Sequence, residues 1–462
     1  MARSRLRFNA FAMNTVSHIH HGQWRRDDTR QRDYLEIETW VALAKLLERG
    51  RFDALFLADV IGTYDRYRGS RDVAVAEGLQ IPVSDPALII PVLAYVTDDL
   101  GFAYTHSVLQ KHPYVFAREV STLDHLTGGR VAWNVVTTFL DSAARNLGFP
   151  ELPPHDERYR RAEEYLQVVY KLLEGSWEDD AVLRDAQHGI YSDPDKIHDI
   201  GHVGEFYDVP GPHLSEPSPQ RTPVLFQAGA SEQGRDFAGR NAEAIFILGR
   251  TPQGARTNVE DVRARAARFG RRPEDLLFFQ GLSFIVGGTE EEARRKEREI
   301  DEYASDEGYL AHRSGDLGVD LGQFDLEAPL SELTRSNVHG IIRGLVDAAP
   351  DKSWTFRDML RYLGDLRIVG TPEQIADELE LWSDAGVDGI NLMYHTTPGS
   401  FQDFIEGVTP VLQERGLQQR EYRPGTLREK LTDGGSGPRL DERHPAAALR
   451  PVAASRVAGS AL

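Results

Sequence analysis

The chain has 462 residues, 40% of them hydrophobic and 27% charged; at ~150 residues per domain this fits three domains, or one α/β barrel with insertions, and excludes a chain disordered throughout. Acidic residues outnumber basic ones 72 to 53, for a formal net charge of −19, a field that repels phosphate backbones and argues against nucleic acid as a partner. Cysteine is absent, which excludes disulfides, thiolate metal sites and a cysteine nucleophile.

No stretch holds the ~20 consecutive apolar residues of a membrane helix. The first residues carry Arg3, Arg5 and Arg7 and then run into a strand-like segment, not the apolar core of an export signal. A cytoplasmic location is the expectation.

Apolar periodicity alternates along the chain. The run 6–11 reads as a strand, and 34–49 as an amphipathic helix, with Leu35, Leu43, Leu46 and Leu47 on helical spacing and Gly50 at its end. The run 54–58 (ALFLA) is apolar on both faces, as in a buried strand. Asp85 and Pro86 are placed to cap and open a helix over 86–97. Strands at 100–107 and 131–136 flank a helix over 114–125, and a long helix spans 156–174. Strands 224–228, 244–248, 276–286 and 389–394 follow, with helices at 232–241, 251–269, 290–303, 372–385 and 401–415. Eight apolar strands alternating with helices predict right-handed βαβ units closed into an α/β fold, the (β/α)8 TIM barrel. The gaps 59–85, 175–222 and 304–366 read as insertions, the first two as cover for the mouth. Residues 1–430 then make a single barrel domain. Residues 431–462, poor in large apolar side chains, read as a low-complexity, flexible tail, disordered or loosely wrapped on the surface.

In such a barrel the chemistry sits at the C-terminal ends of the strands. The clearest anion site is Gln227-Ala228-Gly229-Ala230-Ser231. Gly229 permits close approach to the backbone, and Ser231 caps the next helix, whose N–H groups face outward. The plainer alternative makes Ser231 an N-cap and nothing more. His155 and Tyr159, four apart at the start of the long helix, share a face toward the mouth and suit a phosphate monoester. His18, His20, His21, His198, His202 and His213 lack the helical frame of a metal site, so no metal is expected. No G-x-S-x-G elbow offers a nucleophile, and no G-x-G-x-x-G follows a strand to hold a dinucleotide. A phosphate cradle beside an aromatic mouth (Phe56, Tyr64, Trp133, Phe139, Phe226) describes a pocket for FMN.

The stretches MNTVSHIHHGQWRR (13–26), FDALFLADV (52–60), STLDHLTGGRVAWNVVTT (121–138), HDERYRRAEEYL (155–166), PGPHLSEPSPQRTPVLFQAGASEQGRDFAGRNAEAIF (210–246) and GTPEQIADEL (370–379) carry a resemblance over nearly all of 6–430. The chain resembles the bacterial-luciferase-like flavin monooxygenases, within them the nitrilotriacetate, pristinamycin synthase and dibenzothiophene sulfone monooxygenase family, and is most similar in character to the long-chain alkane monooxygenases. The resemblance implies flavin contacts at Asp59, Thr105, Asn134, Thr137, His155, Tyr159, Ala230 and Ser231. His155, Tyr159 and Ser231 fall on the phosphate side, and Asp59, Thr105 and Asn134 on the ring and ribityl side. It implies catalytic groups at His18, His312 and Tyr64 and substrate contacts at Thr15, Gln80 and Phe139. Alkane members carry cysteine at the position of Thr15 and histidine at that of Phe139, so the reacting face differs from theirs.

The resemblance further implies a two-component system. A separate NAD(P)H:flavin reductase supplies reduced FMN, and a flavin 4a-(hydro)peroxide formed with O2 inserts one oxygen atom into a small organic substrate such as an alkane, sulfone or amine. The protein shields that chemistry from water, with 175–222 as the expected lid. The implied assembly is a homodimer or homotetramer. Two other functions fit the same barrel: a deazaflavin-dependent hydride-transfer oxidoreductase, and a non-catalytic flavin-binding subunit.

Overall fold

The computed structural model describes residues 5–329, 353–364 and 366–451, with the side chains of 361–364 left aside. Its eight central strands are β1 (Arg7–Met13), β2 (Ala54–Ala58), β3 (Gly101–Ser107), β4 (Val131–Val136), β5 (Val224–Gln227), β6 (Ala244–Ile247), β7 (Leu277–Val286) and β8 (Gly389–Met393). Every neighbouring pair is parallel. β1 pairs with β2 and β8, and β6 with both β5 and β7, so the sheet closes. All eight strands anticipated from apolar runs are present, because a strand buried on both faces announces itself locally.

The surrounding helices are α1 (Ile37–Arg49), α2 (Ile90–Tyr95), α3 (Pro113–Thr127), α4 (His155–Tyr170), α5 (Glu232–Asn241), α6 (Pro252–Arg268), α7 (Pro372–Asp384) and α8, which runs Gly399–Asp403, widens over Phe404–Val408 and resumes at Thr409–Glu414. Asp85 caps its segment as expected, accepting from Ala87 N at 2.9 Å, but a 3-10 turn at Pro86–Leu88 and Pro91 shorten the helix to α2. No described helix is long and apolar enough to cross a membrane.

Alternate residues of each strand face the lumen, where Phe11, Phe56, Phe226 and Phe279 pack ring to ring with centroids 5.2–5.3 Å apart. Trp133 faces the other way. Its indole packs against Phe116 and Tyr165 of the helical layer, so its expected place in the mouth is wrong; Ala132 and Asn134 on either side point inward, as strand parity requires. The lower end of the barrel is plugged by Leu427 and Leu431 of the short helix Leu427–Leu431, whose buried Arg428 pairs with Glu243 at 2.6 Å.

Two organisational expectations need correction. The segment 175–222 does not cover the mouth. It follows the C-terminal end of α4, and in a parallel barrel that end lies beside the N-terminal ends of the strands. Thr222 Oγ1 accordingly donates to Glu174 at 2.6 Å, and Gln220 Nε2 to the Val131 carbonyl at the start of β4 at 2.8 Å. A small hairpin (His202–Val203 with Asp208–Val209) then climbs the outside of α4, where Glu164 accepts from Tyr207 N at 2.8 Å. The tail is not loose over 434–450. Leu440, Ala446 and Ala447 are buried, His444 Nε2 bonds the Asn241 carbonyl at 2.9 Å, and Arg450 pairs with the buried Glu174 at 2.8 Å. Small alanines and charged pairs do there what large apolar residues do elsewhere. Residues 452–462 lie outside the described part, as do 330–352 within the 304–366 insertion.

The mouth is covered instead by a second hydrophobic core. Tyr64, Tyr67 and Leu79 from 59–85 pack with Ala143 of the helix Asp141–Asn146, with Leu310 and Ala311 of the helix Asp306–Leu317, and with Phe356 and Met359. After β7 the chain forms the helix Glu290–Tyr303 and this covering layer. It returns through the strand Arg367–Gly370, paired in parallel with the end of β7, before α7 leads to β8.

Candidate active site

At the upper end of β5, Ser231 caps α5 by accepting from Gly234 N at 3.1 Å. Tyr159 of α4 leans over this turn. A Cβ built on Gly229 would stand 2.3 Å from Gln227 Nε2 and 2.7 Å from the Tyr159 hydroxyl; one on Gly234 would also stand 2.7 Å from that hydroxyl. Only glycine lets the two backbones and the phenol approach this closely. Burial pushes the Tyr159 hydroxyl up, opposed by its hydrogen bond with Ser231. His155 opens α4 with its ring 5.0 Å from that of Tyr159 and its side chain exposed, and Ala230 is exposed beside it. His155, Tyr159, Ala230 and Ser231 therefore meet at one place, between two helix N-termini.

Arg158 and Gln227 belong here as well. Arg158 donates to the Thr138 carbonyl while its buried Nε has no partner among the described residues, and the same holds for Gln227 Oε1. The sequence signals were adjacency to Tyr159 and the last position of an apolar strand.

Across the mouth, Asn134 Nδ2 donates to Thr105 Oγ1 at 2.9 Å, leaving the buried Asn134 Oδ1 without a protein partner. Asp59 follows β2 and lines a cavity of about 80 Å³ with Thr105, Ser107, Gln110, Thr138 and Phe139. Burial, with the Asp85 carboxylate second, pushes Asp59 up to about 7. Thr137 is half-buried just after β4. Gln110, absent from the sequence reading, hydrogen-bonds Asp59.

The third group lies under the covering layer. The Tyr64 hydroxyl donates to Gln80 Oε1 at 3.1 Å, and Gln80 Nε2 to the His18 carbonyl at 2.9 Å. The His18 ring sits 4.8 Å from Phe11, at the top of the aromatic lumen. The His312 ring meets Tyr64 edge-on at 4.9 Å. Burial lowers His18 to about 3 and holds His312 well below the ordinary histidine range, so both are neutral at pH 7. Thr15 spends its hydroxyl on the Pro82 carbonyl at 2.7 Å and is 2% exposed, which makes it a tie to the 59–85 insertion. Phe139 is 46% exposed with its ring 6.3 Å from Tyr64, at the rim of the mouth. Among the described residues no group of three or more His, Asp or Glu side chains is arranged to hold a metal ion.

A capped helix N-terminus with a close-approach glycine, an acid of raised pKa and neutral buried histidines thus converge on the C-terminal mouth of a parallel barrel. Known proteins share this architecture. Residues 7–389 match the luciferase-like monooxygenase family. The long-chain alkane monooxygenase of Geobacillus thermodenitrificans is 47% identical, over 98% of this chain and 99% of that protein. The dimethyl-sulfide monooxygenase of Hyphomicrobium sulfonivorans is 46% identical, over 97% and 94%. A crystal structure of long-chain alkane monooxygenase superposes with a TM-score of 0.89, at 48% identity, over 96% of this chain and 99% of that one. The chain belongs to the luciferase-like monooxygenases.

Proposed function

We propose that this monooxygenase is the oxygenase half of a two-component system: it takes reduced FMN from a separate NAD(P)H:flavin reductase and uses O2 to oxygenate a small, uncharged organic substrate. The observation that carries this reading is the Gly229–Ser231 turn. Its close-approach glycine, the Tyr159 hydroxyl and the first N–H groups of α5 fit a phosphate monoester. The unpartnered Asn134 Oδ1 and Gln227 Oε1 fit the donors of a flavin ring or ribityl chain. Two relatives support it by name: the FMNH(2)-dependent dimethylsulfone monooxygenase of Pseudomonas putida, 28% identical over 67% of this chain, and nitrilotriacetate monooxygenase component A of Aminobacter aminovorans, 36% identical over 90%.

Bound reduced FMN supplies the electrons that activate dioxygen. The chain does the rest. Ser231, Tyr159 and His155 hold the phosphate end; Asp59, Thr105, Asn134 and Thr137 orient the ring; the layer built on Tyr64 and Tyr67 keeps water away. His18 and His312, neutral at pH 7, offer N–H groups toward the reacting substrate, and Tyr64, whose own proton goes to Gln80, adds its hydroxyl oxygen, without placing a charge beside it. Neutral histidines among aromatic walls favour an alkane or dialkyl sulfide over an amino-polycarboxylate, which would need cationic partners.

A cytoplasmic setting fits a partner that draws on NAD(P)H. The exposed apolar side chains Leu88, Val92 and Tyr95 around α2, with Val115 and Leu126 on α3, support assembly into a homodimer or homotetramer.

The test is reductase-coupled oxygen uptake with alkanes, dialkyl sulfides, sulfones and amino-polycarboxylates, scoring oxygenated product against hydrogen peroxide. Product from an alkane or sulfide is expected. Product from a polycarboxylate alone would reverse the substrate reading, and no difference between FMN and flavin-free reactions would reverse the cofactor reading.

A further inference from the structure

Three buried side chains form a line from the loop after β1 to the helix Asp306–Leu317. Ser17 Oγ lies 2.9 Å from His21 Nδ1, and His21 Nε2 lies 2.8 Å from His312 Nδ1. Ser17 and His21 are fully buried. On its far side His312 Nε2 faces Asp316, with Oδ1 at 3.8 Å, and Asp316 Oδ2 accepts from Arg313 at 2.7 Å. The rings around the line are those of Tyr64 on His312 and Tyr309 on His21.

The hydrogens in this line can run in either direction, and the surroundings of His312 favour one of them. Asp316 Oδ1, at 3.8 Å, is beyond hydrogen-bond reach, but a carboxyl group held by Arg313 favours an N–H over a lone pair on the His312 nitrogen turned toward it. A neutral imidazole has a single N–H. His312 Nδ1 is then an acceptor and takes the His21 Nε2–H, and His21 Nδ1 in turn accepts the Ser17 hydroxyl. Reversing the line would turn a nitrogen lone pair toward the Asp316 carboxylate.

Building on the proposed catalytic role of His312, we propose that Ser17 and His21 are positioning residues that lock His312 in its Nε2–H tautomer and pin its ring against Tyr64, so that Nε2–H, which Asp316 at 3.8 Å does not engage in a hydrogen bond, is the one donor the ring offers the reaction. Their effect reaches the substrate through His312.

The test compares His21→Gln with His21→Met. Glutamine keeps an N–H near the place of Nε2, whereas methionine fills the space without a donor. Histidine-selective 15N NMR of the cofactor-free protein reads the His312 tautomer, its signals assigned by their loss in His312→Ala. The Nε2–H form is expected in the parent and in His21→Gln, and a shift toward Nδ1–H in His21→Met and Ser17→Ala. With reductase and substrate, product formed per dioxygen consumed is expected to fall at least about tenfold from His21→Gln to His21→Met. Circular dichroism and reduced-FMN affinity accompany each variant, and Ser17→Ala carries the comparison if His21→Met does not fold. An unchanged tautomer in His21→Met and Ser17→Ala overturns the proposal, as does equal product yield from the two His21 variants. Parental product yield from His312→Ala overturns the catalytic reading of His312 itself, a failure the tautomer measurement keeps distinct.

Discussion

Gly315 lies against the ring of Tyr64: a Cβ built on it would stand 2.3 Å from Cδ1 and 2.9 Å from Cε1. The covering helix Asp306–Leu317 thus approaches the 59–85 insertion as closely as backbone allows. Tyr64 in turn holds Gln80. Gly315→Ala is expected to push the phenol aside, costing about 1–3 kcal/mol of stability through overpacking. It should also raise the hydrogen peroxide formed per dioxygen. The peroxide-to-product ratio checks this, and an unchanged ratio would separate Tyr64 from water exclusion.

The phosphate cradle makes a sharper claim. Tyr159→Phe with Ser231→Ala is expected to weaken reduced FMN binding by about 2–4 kcal/mol, two lost hydrogen bonds to a charged group. Ser231→Ala also removes the cap of α5, about 1 kcal/mol of stability. Anaerobic titration with FMN and with riboflavin separates the effects: affinity should drop for FMN and stay near parental for riboflavin, which has no phosphate. Equal losses for both would place the phosphate elsewhere.

Asp59 titrates at about 7 because it is buried and faces Asp85. Its protonated form can donate to a flavin ring, and its carboxylate adds charge beside an anionic cofactor. Reduced FMN affinity should therefore fall as pH rises through 7. Asp59→Asn should flatten that profile, and Asp85→Asn should move its midpoint to lower pH. A profile unchanged in Asp59→Asn would remove Asp59 from the binding site.

Buried neutral histidines set the acid limit. Burial lowers His18, His106 and His444 to about 3 and His213 to about 4, against 6.5 when exposed. With pKa values depressed on folding, each contributes stability that is complete above pH 6.5 and is lost as pH falls from there toward about 4 for His213 and about 3 for the other three. Below pH 6.5 the unfolded chain binds the extra protons, at about 1.4 kcal/mol per pH unit for each histidine. Thermal unfolding should show a Tm that drops steeply between pH 6 and 4, and His444→Gln should blunt the drop if the protein stays folded. A flat Tm over that range would contradict the burial of these rings.

Much of the fold is legible in the sequence because its signals are local. ALFLA at 54–58 is apolar on both faces, VLFQ at 224–227 is apolar up to its last residue, and the Asp85 and Ser231 caps precede their helices. The misses share a different cause. Trp133 went to the wrong face because strand parity depends on register with β3 and β5, one residue deciding inside from outside. The tie from the Thr15 hydroxyl to the Pro82 carbonyl, 67 residues away, is likewise invisible in the sequence. The line from Ser17 through His21 to His312 spans 291 residues in its longest link, and no spacing rule reaches that far.

Sequence alone determined the eightfold strand–helix alternation, the capped turn after β5 and the absence of thiol chemistry, since each depends on neighbours a few residues apart. Which insertion covers the mouth was decided only in three dimensions. Segments 59–85 and 175–222 look alike as irregular text, but one leaves the upper end of a strand and the other the lower end of a helix. The direction of the chain through a closed parallel barrel, not composition, sends the first over the site and the second away from it, below the barrel and along the outside of α4.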